Sequence, residues 1–444
     1  MNPHTNVGYC CLQATIDTRS LMFAEQSKLD MMANQNHPQS NIGVGVKKHI
    51  GILFPPRSGG GVFQFTLSIA NGLLAYAPDK FQYSIIYYEG ENKPVVSGQI
   101  DYIALPDRRR NPLRKAIHFL GLVTGLDSLV VKDLDKALQN KNIDLLVIST
   151  PFSYDVPFKI PYIVCLPDYM HKYYPQWPEY TWTTKTTRDI IYPYYARHSL
   201  LTVADSVQGA DDIHNFTRVP MTKIRTIYYV APSYTYKHKD MTKEEAAKLL
   251  AKYSLPESFI YYPAQFWPQK YHDRLLHALH KIKQEHGVEI PLVVVGSNKG
   301  NHARYFKQVM DLAESLGIKN LITHPGYVED IEAVALYKKA VALVSPAFQG
   351  PTTLPPLEAM VLGTPVVTAN IFEVPKQLGG AGLLFNPSDI DDIAEKVYKV
   401  WTDENLRKEM IERGYSQAQN LTLESYGKEW LSVIEEALRH HDSR

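Results

Sequence analysis

The sequence predicts an α/β protein built from two similar domains in tandem. Three observations lead there. The 444 residues exceed one ordinary domain of roughly 100 to 200 residues, so more than one core is expected. From Lys47 onward, short β-branched runs alternate with longer amphipathic segments, the signature of βα units that build a parallel sheet. The alternation starts afresh after the Pro232–Lys239 stretch.

Residues 1–46 are rich in Asn, Gln, Ser and Met without period-2 or period-3.6 patterning, so a disordered N-terminal extension is expected. In the first domain, 47–235, strands are expected at Ile50–Phe54, Tyr83–Tyr88, Leu145–Ser149, Tyr162–Leu166, Leu200–Val203 and Ile224–Tyr228. Helices fall between them, including Val62–Ala75 and Thr187–Arg197. In the second domain, 236–423, the strand runs are Phe259–Tyr262, Leu292–Val295, Leu321–Thr323, Ala342–Ser345, Pro365–Ala369 and Leu383–Phe385. Its helices are expected at Tyr271–Gln284, Ala303–Leu316, Ile331–Lys339 and Ile390–Thr402. The last segment, 424–444, is an amphipathic helix with Tyr426, Trp430, Ile434 and Leu438 on one stripe.

Composition narrows the function. Apolar residues make up 45% and charged residues 21%, as in ordinary globular chains. Forty-seven Lys plus Arg against forty-six Asp plus Glu leave +1, so no bulk field draws nucleic acid or an anionic membrane. No nucleic-acid partner is expected. The cysteines, Cys10, Cys11 and Cys165, are odd in number and lack metal-ligand spacing, which indicates a reducing compartment with neither disulfide framework nor metal. No apolar run approaches the ~18 residues of a membrane span. The first Lys or Arg is Arg19 and no apolar block surrounds it, so a secretory signal is not expected either. The expected location is cytoplasmic.

Parallel sheets bind ligands beyond the carboxyl ends of their strands, so two such domains facing each other place a site in the cleft between them. Three strand-end loops there carry chemistry. The first leads into a helix through Gly59, Gly60 and Gly61, which permit close backbone approach of an anion to the helix N-terminus; a flexible turn is the plain alternative. The second runs Pro263-Ala264-Gln265-Phe266-Trp267-Pro268-Gln269-Lys270, and Lys270 can aim its ammonium at a phosphate in the cleft or simply stand solvated at a helix start. The third contains Gly350, Pro351, Thr352, Thr353 and Leu354, then Glu358 in the first turn of a helix preceded by paired prolines. Small polar residues there expose backbone N–H groups to a diphosphate, and an ionised carboxylate can accept two hydrogen bonds from a vicinal diol. A lone Glu complementing the helix dipole would not explain the loop around it.

On these residues, from about Ile50 onward, the chain resembles family 4 of the retaining, nucleotide-sugar-dependent glycosyltransferases. Their architecture, GT-B, is two Rossmann-like domains facing across a cleft, with the last helix packing back toward the N-terminal domain. Phe266–Lys270 is similar to the family's donor-phosphate lysine loop, and Gly350–Met360 to its E-x7-E segment in the variant with Gly-Pro-Thr and paired prolines. Gly363-Thr364-Pro365-Val366-Val367 and Gly380–Pro387 continue the pattern. Leu166–Pro175 resembles the His-Asp loop, and Gly59–Gly61 sit where the glycine-rich first loop would. Three positions depart: Gly350 stands in place of the first carboxylate, Gln265 in place of an arginine, and Pro167 in place of the loop histidine.

The resemblance implies transfer of a sugar from a nucleoside-diphosphate-sugar to a hydroxyl acceptor with retention of anomeric configuration, in polysaccharide or glycolipid assembly. The implied acceptor is a glycan or lipid-linked glycan, the sugar is left open with a hexose such as mannose as one option, and no cofactor or metal is implied. Lys270, Asp168 and His171 take the catalytic roles. Glu358 holds the ribose diol, while Gly350–Leu354, Gln265 and Gly59–Gly61 complete the donor site.

Arg108-Arg109-Arg110 with Arg114 and Lys115 precede the apolar Ile117, Phe119, Leu120, Leu122 and Val123. They would let the protein rest on the inner membrane face, or form a solvated loop ahead of a buried helix face. The aromatic residues near Asp168, Trp177 among them, are read either as sugar-stacking faces or as loop packing. A sugar epimerase of the same architecture and a noncatalytic nucleotide-sugar-binding partner are the rival readings.

Overall fold

Strands such as Leu145–Ile148 and Leu292–Val295 are apolar and buried at every position. That is the pattern of parallel strands covered by helices on both faces. In the computed structural model, which describes residues 47–55, 60–105, 117, 120, 121, 124, 138, 140–151, 159–348 and 350–443, such strands build two sheets. The expected extension 1–46, Gly59 and the basic stretch Arg108–Lys115 lie outside the described residues.

The first sheet comprises β1 (His49–Leu53), β2 (Gln82–Tyr88), β3 (Asp101–Leu105), β4 (Leu145–Ile148), β5 (Tyr162–Cys165), β6 (Leu201–Ala204) and β7 (Ile224–Thr226), in the order β3-β2-β1-β4-β5-β6-β7. The second comprises β8 (Ile260–Pro263), β9 (Leu292–Val295), β10 (Ile322–Thr323), β11 (Ala342–Ser345), β12 (Val366–Ala369) and β13 (Gly382–Phe385), in the order β10-β9-β8-β11-β12-β13. All pairings are parallel, and the order reverses at β1/β4 and at β8/β11. At each reversal neighbouring loops leave the sheet in opposite directions and open a crevice at the carboxyl edge. Both domains are therefore Rossmann-like, and both belong to one unit, Lys48–Arg444.

The first domain's described helices are α1 (Gly61–Tyr76), α2 (Met170–Tyr173), α3 (Trp182–His198) and α4 (Val207–Thr217). A short α5 (Ser233–Lys237) lies in the connection between the sheets. The second domain carries α6 (Lys243–Leu250), α7 (His272–His286), α8 (Ala303–Ser315), α9 (Asp330–Lys339), α10 (Leu354–Leu362), α11 (Val374–Leu378), α12 (Ile390–Thr402) and α13 (Glu404–Ala418), and α14 (Leu423–Asp442) ends the chain.

Several elements depart from the expected extents, and four of the departures have a readable cause. The edge strand β3 was not anticipated: only Ile103 and Leu105 of its five residues are buried, too sparse a pattern to read from sequence. Helix α3 starts at Trp182, because the Thr181 side chain accepts the Thr184 N–H at 3.2 Å and caps it there. Helix α10 starts at Leu354 and takes both prolines inside its first turn, so Glu358 is its fifth residue rather than part of the first turn. Pro suits those positions, where the missing N–H would be unpaired anyway. Helix α13 has only Met410 and Gly414 buried, and so carries little apolar period to detect.

Helix α14 belongs to the first domain's core. Its Tyr426, Trp430, Ile434 and Leu438 pack with Ile50, Ile52 and Ile69 of β1 and α1. Glu436 pairs with Arg225 and Glu435 with Lys80 at 2.9 Å, both partners in the first domain. The segment just before it stays with the second domain's core through Leu421, whose carbonyl accepts from Tyr236. Among the described residues no helix is long and apolar enough to cross a membrane. Ile117 and Leu120 are helical and exposed.

Candidate active site

The second domain's half of the cleft is formed where β8 and β11 end. The β8 loop closes in a tight turn, Pro268–Lys270, and the backbone N–H of Phe348, in the loop after β11, donates to the Gln269 carbonyl at 2.8 Å. The Tyr262 hydroxyl secures the Lys270 carbonyl at 2.7 Å. These bonds hold the lysine loop and the Gly350–Leu354 loop as one surface. Lys270 Nζ has no ion pair among the described residues, and crowding by protein lowers its pKa to about 8, with Glu179 opposing the shift. Glu179 is the anionic group acting on it, and with no ion pair saturating the ammonium it retains capacity for a phosphate.

Gly350 turns the second loop at φ +77°, a conformation costly for any side chain. Thr353 is bracketed by Gln377, whose Oε1 accepts the Thr353 N–H at 3.2 Å and whose Nε2 donates to the Thr353 carbonyl at 2.7 Å. Pro355 and Pro356 lack N–H groups, so α10 offers fewer free donors than expected from an ordinary helix N-terminus. Glu358 is 7% exposed, and burial raises its pKa to about 7 despite the Tyr234 hydroxyl, which donates to Oε2 at 2.9 Å. One carboxylate oxygen is thus fixed by the interdomain connection.

The first domain faces these groups. A Cβ added to Gly61 would lie 3.9 Å from Leu354 Cδ1, so the glycine loop and the Gly350–Leu354 loop meet across the cleft. Gln64, one turn into α1, donates to Asp330 at 3.3 Å. Thr352 Oγ1 donates to Asp205 Oδ2 at 2.6 Å, and Ser206 donates to the other oxygen at 2.9 Å. Asp205 is 5% exposed and burial pushes its pKa to about 7.

Asp168 follows β5, where its Oδ1 accepts from Arg188 at 3.1 Å and from the Met170 N–H at 2.9 Å. His171 lies beneath this loop, 2% exposed, with Nε2 bonded to Asp189 at 2.9 Å and its ring among Tyr169, Tyr180 and Tyr192. Burial lowers its pKa. Trp177 stacks on Tyr174 at 4.7 Å and on Tyr180 at 6.1 Å, and both Tyr174 and Trp177 set their rings edge-on against Phe348 of the other domain. Loop packing describes these rings. Gln265 is exposed and its Oε1 accepts the Ser297 N–H at 2.9 Å, so it shapes the β9 loop and brings no charge.

The structure therefore brings together Lys270, Gly350–Leu354, Glu358, Gly60 and Gly61, and sets Asp168 on the opposite wall with His171 under it. Sequence reasoning missed Glu179, Arg188, Asp205 and Tyr234. Asp205 directly follows β6, where the strand-end rule could have found it. Tyr234 carries no such signal. A cavity of about 240 Å³ is lined by Thr352 and Gln377 together with Tyr228, Lys376, Asn420 and Tyr426. Among the described residues no cluster of three or more His, Cys, Asp or Glu side chains could hold a metal ion.

Residues 245–417 match the family model for glycosyl transferases group 1. Over 216 residues the chain is 28% identical to the serotype-specific mannosyltransferase WbdA of Escherichia coli, a match covering 48% of this chain and 26% of that one. It is 31% identical over 182 residues to O-antigen chain mannosyltransferase B of Escherichia coli, covering 41% of this chain and 47% of that one. The chain thus spans less than half the length of either relative. The Anabaena protein Alr3699/HepE, solved with UDP and glucose, superposes at a TM-score of 0.64 with 16% identity, over 87% of this chain and 99% of that one. The fold is GT-B. In a GT-B fold the two carboxyl-edge crevices face each other, and the residues assembled above line that space.

Proposed function

We propose that this protein is a retaining glycosyltransferase that moves a sugar, a hexose such as mannose, from a nucleoside-diphosphate-sugar to a hydroxyl of a glycan or lipid-linked glycan in polysaccharide or glycolipid assembly. The observation that carries the proposal is the arrangement of Lys270, unpaired among the described residues, and Glu358, buried beyond it on α10, on one surface facing a glycine-started helix. A cation and a carboxylate at the two ends of a Gly-Pro-Thr-Thr loop suit a diphosphate and a ribose diol respectively. The mannosyltransferase relatives and the fold shared with a UDP-bound protein point the same way.

In this reading Glu358 receives the ribose diol, with Tyr234 fixing one of its oxygens. Lys270 stabilises the diphosphate as it departs. The acceptor enters against the Asp168 loop, which Arg188 and His171 hold in shape. Retention follows if the acceptor attacks from the face the diphosphate leaves, its proton passing to the leaving phosphate. The chain acts at the inner membrane face if its basic segment meets anionic lipid.

The test is a thermal-shift and calorimetric panel of nucleoside diphosphates and their sugars, followed by transfer assays with anomeric analysis of the product. Selective stabilisation obeys RT ln(1 + [L]/Kd) and names the base. No selective binding across the panel would overturn the donor site, product of inverted configuration the retaining assignment, and binding without transfer to any acceptor the catalytic reading.

A further inference from the structure

Among the described residues, Glu179 is a carboxylate with charged groups of both domains around it. It lies in the loop between α2 and α3, half-buried; its Oε2 accepts from Gln269 Nε2, on the residue beside Lys270, and the Tyr180 hydroxyl also donates to the carboxylate. Asp168, Arg188 and Lys270 all lie within its electrostatic range. Burial pushes its pKa up. The partner Gln269 is 1% exposed, and its Oε1 has no hydrogen bond among the described residues.

We propose that Glu179, reaching from the first domain to the lysine loop of the second, is the specificity-determining residue for the transferred sugar and accepts hydrogen bonds from its hydroxyls. The assignment rests on the donor-site reading above. If Glu358 holds the ribose and Lys270 the diphosphate, the sugar on the distal phosphate extends past Lys270, away from Glu358 and toward the first domain. Glu179 stands there. A carboxylate repels phosphate, so at that position it is unsuited to the diphosphate, but its remaining lone pairs accept strongly from hydroxyl donors. Gly350 contributes no side chain from the opposite loop, so the polar contacts to the sugar come from the first-domain wall.

A cross-domain latch would make the same contact, and the two roles separate in binding. The full chain, its Glu179→Gln variant and its Glu179→Ala variant are titrated calorimetrically with GDP, GDP-mannose, UDP and UDP-glucose. Whichever diphosphate binds the wild type should bind Glu179→Gln at least as tightly, because a negative charge beside Lys270 has gone. The ratio of nucleotide-sugar affinity to diphosphate affinity should fall roughly ten- to a hundredfold in both variants, the range for losing a charged hydrogen-bond partner. An unchanged ratio would sink the proposal, as would equal weakening of diphosphate and nucleotide-sugar, which is what a latch predicts. If no nucleoside diphosphate of the panel above binds the wild type, the donor-site reading itself fails and this assignment falls with it; if one other than GDP or UDP binds, it and its sugar replace them in the titration.

Discussion

Glu358 and Lys270 are assigned different parts of one ligand, so their variants should fail differently. Loss of a charged hydrogen-bond partner costs about 1.5–3 kcal/mol, so Glu358→Gln should weaken nucleoside diphosphate binding by roughly ten- to a hundredfold. Lys270→Ala should weaken it too and lower the transfer rate further, since charge grows on the diphosphate as the glycosidic bond breaks. Calorimetry beside turnover measurement decides; normal binding and normal turnover in both variants would mean the donor lies elsewhere. The titration of the pair gives a second expectation. Glu358 binds a diol best when ionised, above its value of about 7, and Lys270 binds phosphate best when protonated, below its value of about 8. Affinity for an intact nucleotide-sugar should therefore peak between pH 7 and 8 and fall on both sides, and Glu358→Gln should lose the acidic limb. A profile still falling below pH 7 in that variant would assign the limb to another group.

At the scale of elements, the contact of α14 with α1 is made by two glycines. A Cβ on Gly427 would lie 1.9 Å from the Gly72 carbonyl oxygen, so the helix backbones themselves touch there. Trp430, fully buried one turn later, fills the space beyond. Gly427→Ala should cost about 1–3 kcal/mol or more by overpacking, and Trp430→Ala about 3–5 kcal/mol by loss of a large buried ring. Denaturant titration measures both, and wild-type midpoints would mean that the terminal helix is peripheral to the first domain's stability. The four-residue stripe made this helix legible in the sequence, whereas the glycine contact was not: nothing local to Gly427 reveals which backbone approaches it.

At the scale of the molecule, the two domains share a buried hydrogen bond from Thr352 to Asp205. The Asp205 carboxyl binds its proton more tightly in the folded chain, at about 7, than in the unfolded one, at about 3.9. Its stabilising effect is therefore full at acid pH and is lost as pH rises from about 4 through 7. Glu358 acts in the same direction. Buried His272 and His171, whose values burial lowers, pull the other way as pH rises. The expectation is therefore differential: Asp205→Asn, which keeps an acceptor for Thr352 but cannot ionise, should shift the change in melting temperature between pH 5.5 and 7.5 upward relative to the wild type. An equal change in the variant would show that Asp205 does not titrate in this window.

The sequence by itself determined the two α/β domains, most of their strands, and the strand-end loops bearing Lys270, Gly350–Leu354 and Glu358. Those features are local: apolar runs of strand length, glycines and prolines at turns, and charges next to them. It also placed Asp168 and His171 in one loop, but not which of the two would face the cleft; burial among tyrosines settled that for His171. Only the tertiary structure joined Tyr234 to Glu358, Thr352 to Asp205 and Glu179 to Gln269, pairs separated by 124, 147 and 90 residues. A side chain's partners across a domain interface depend on how two sheets are set against each other. That arrangement arises from burial summed over the whole interface, to which no short stretch of sequence holds the key.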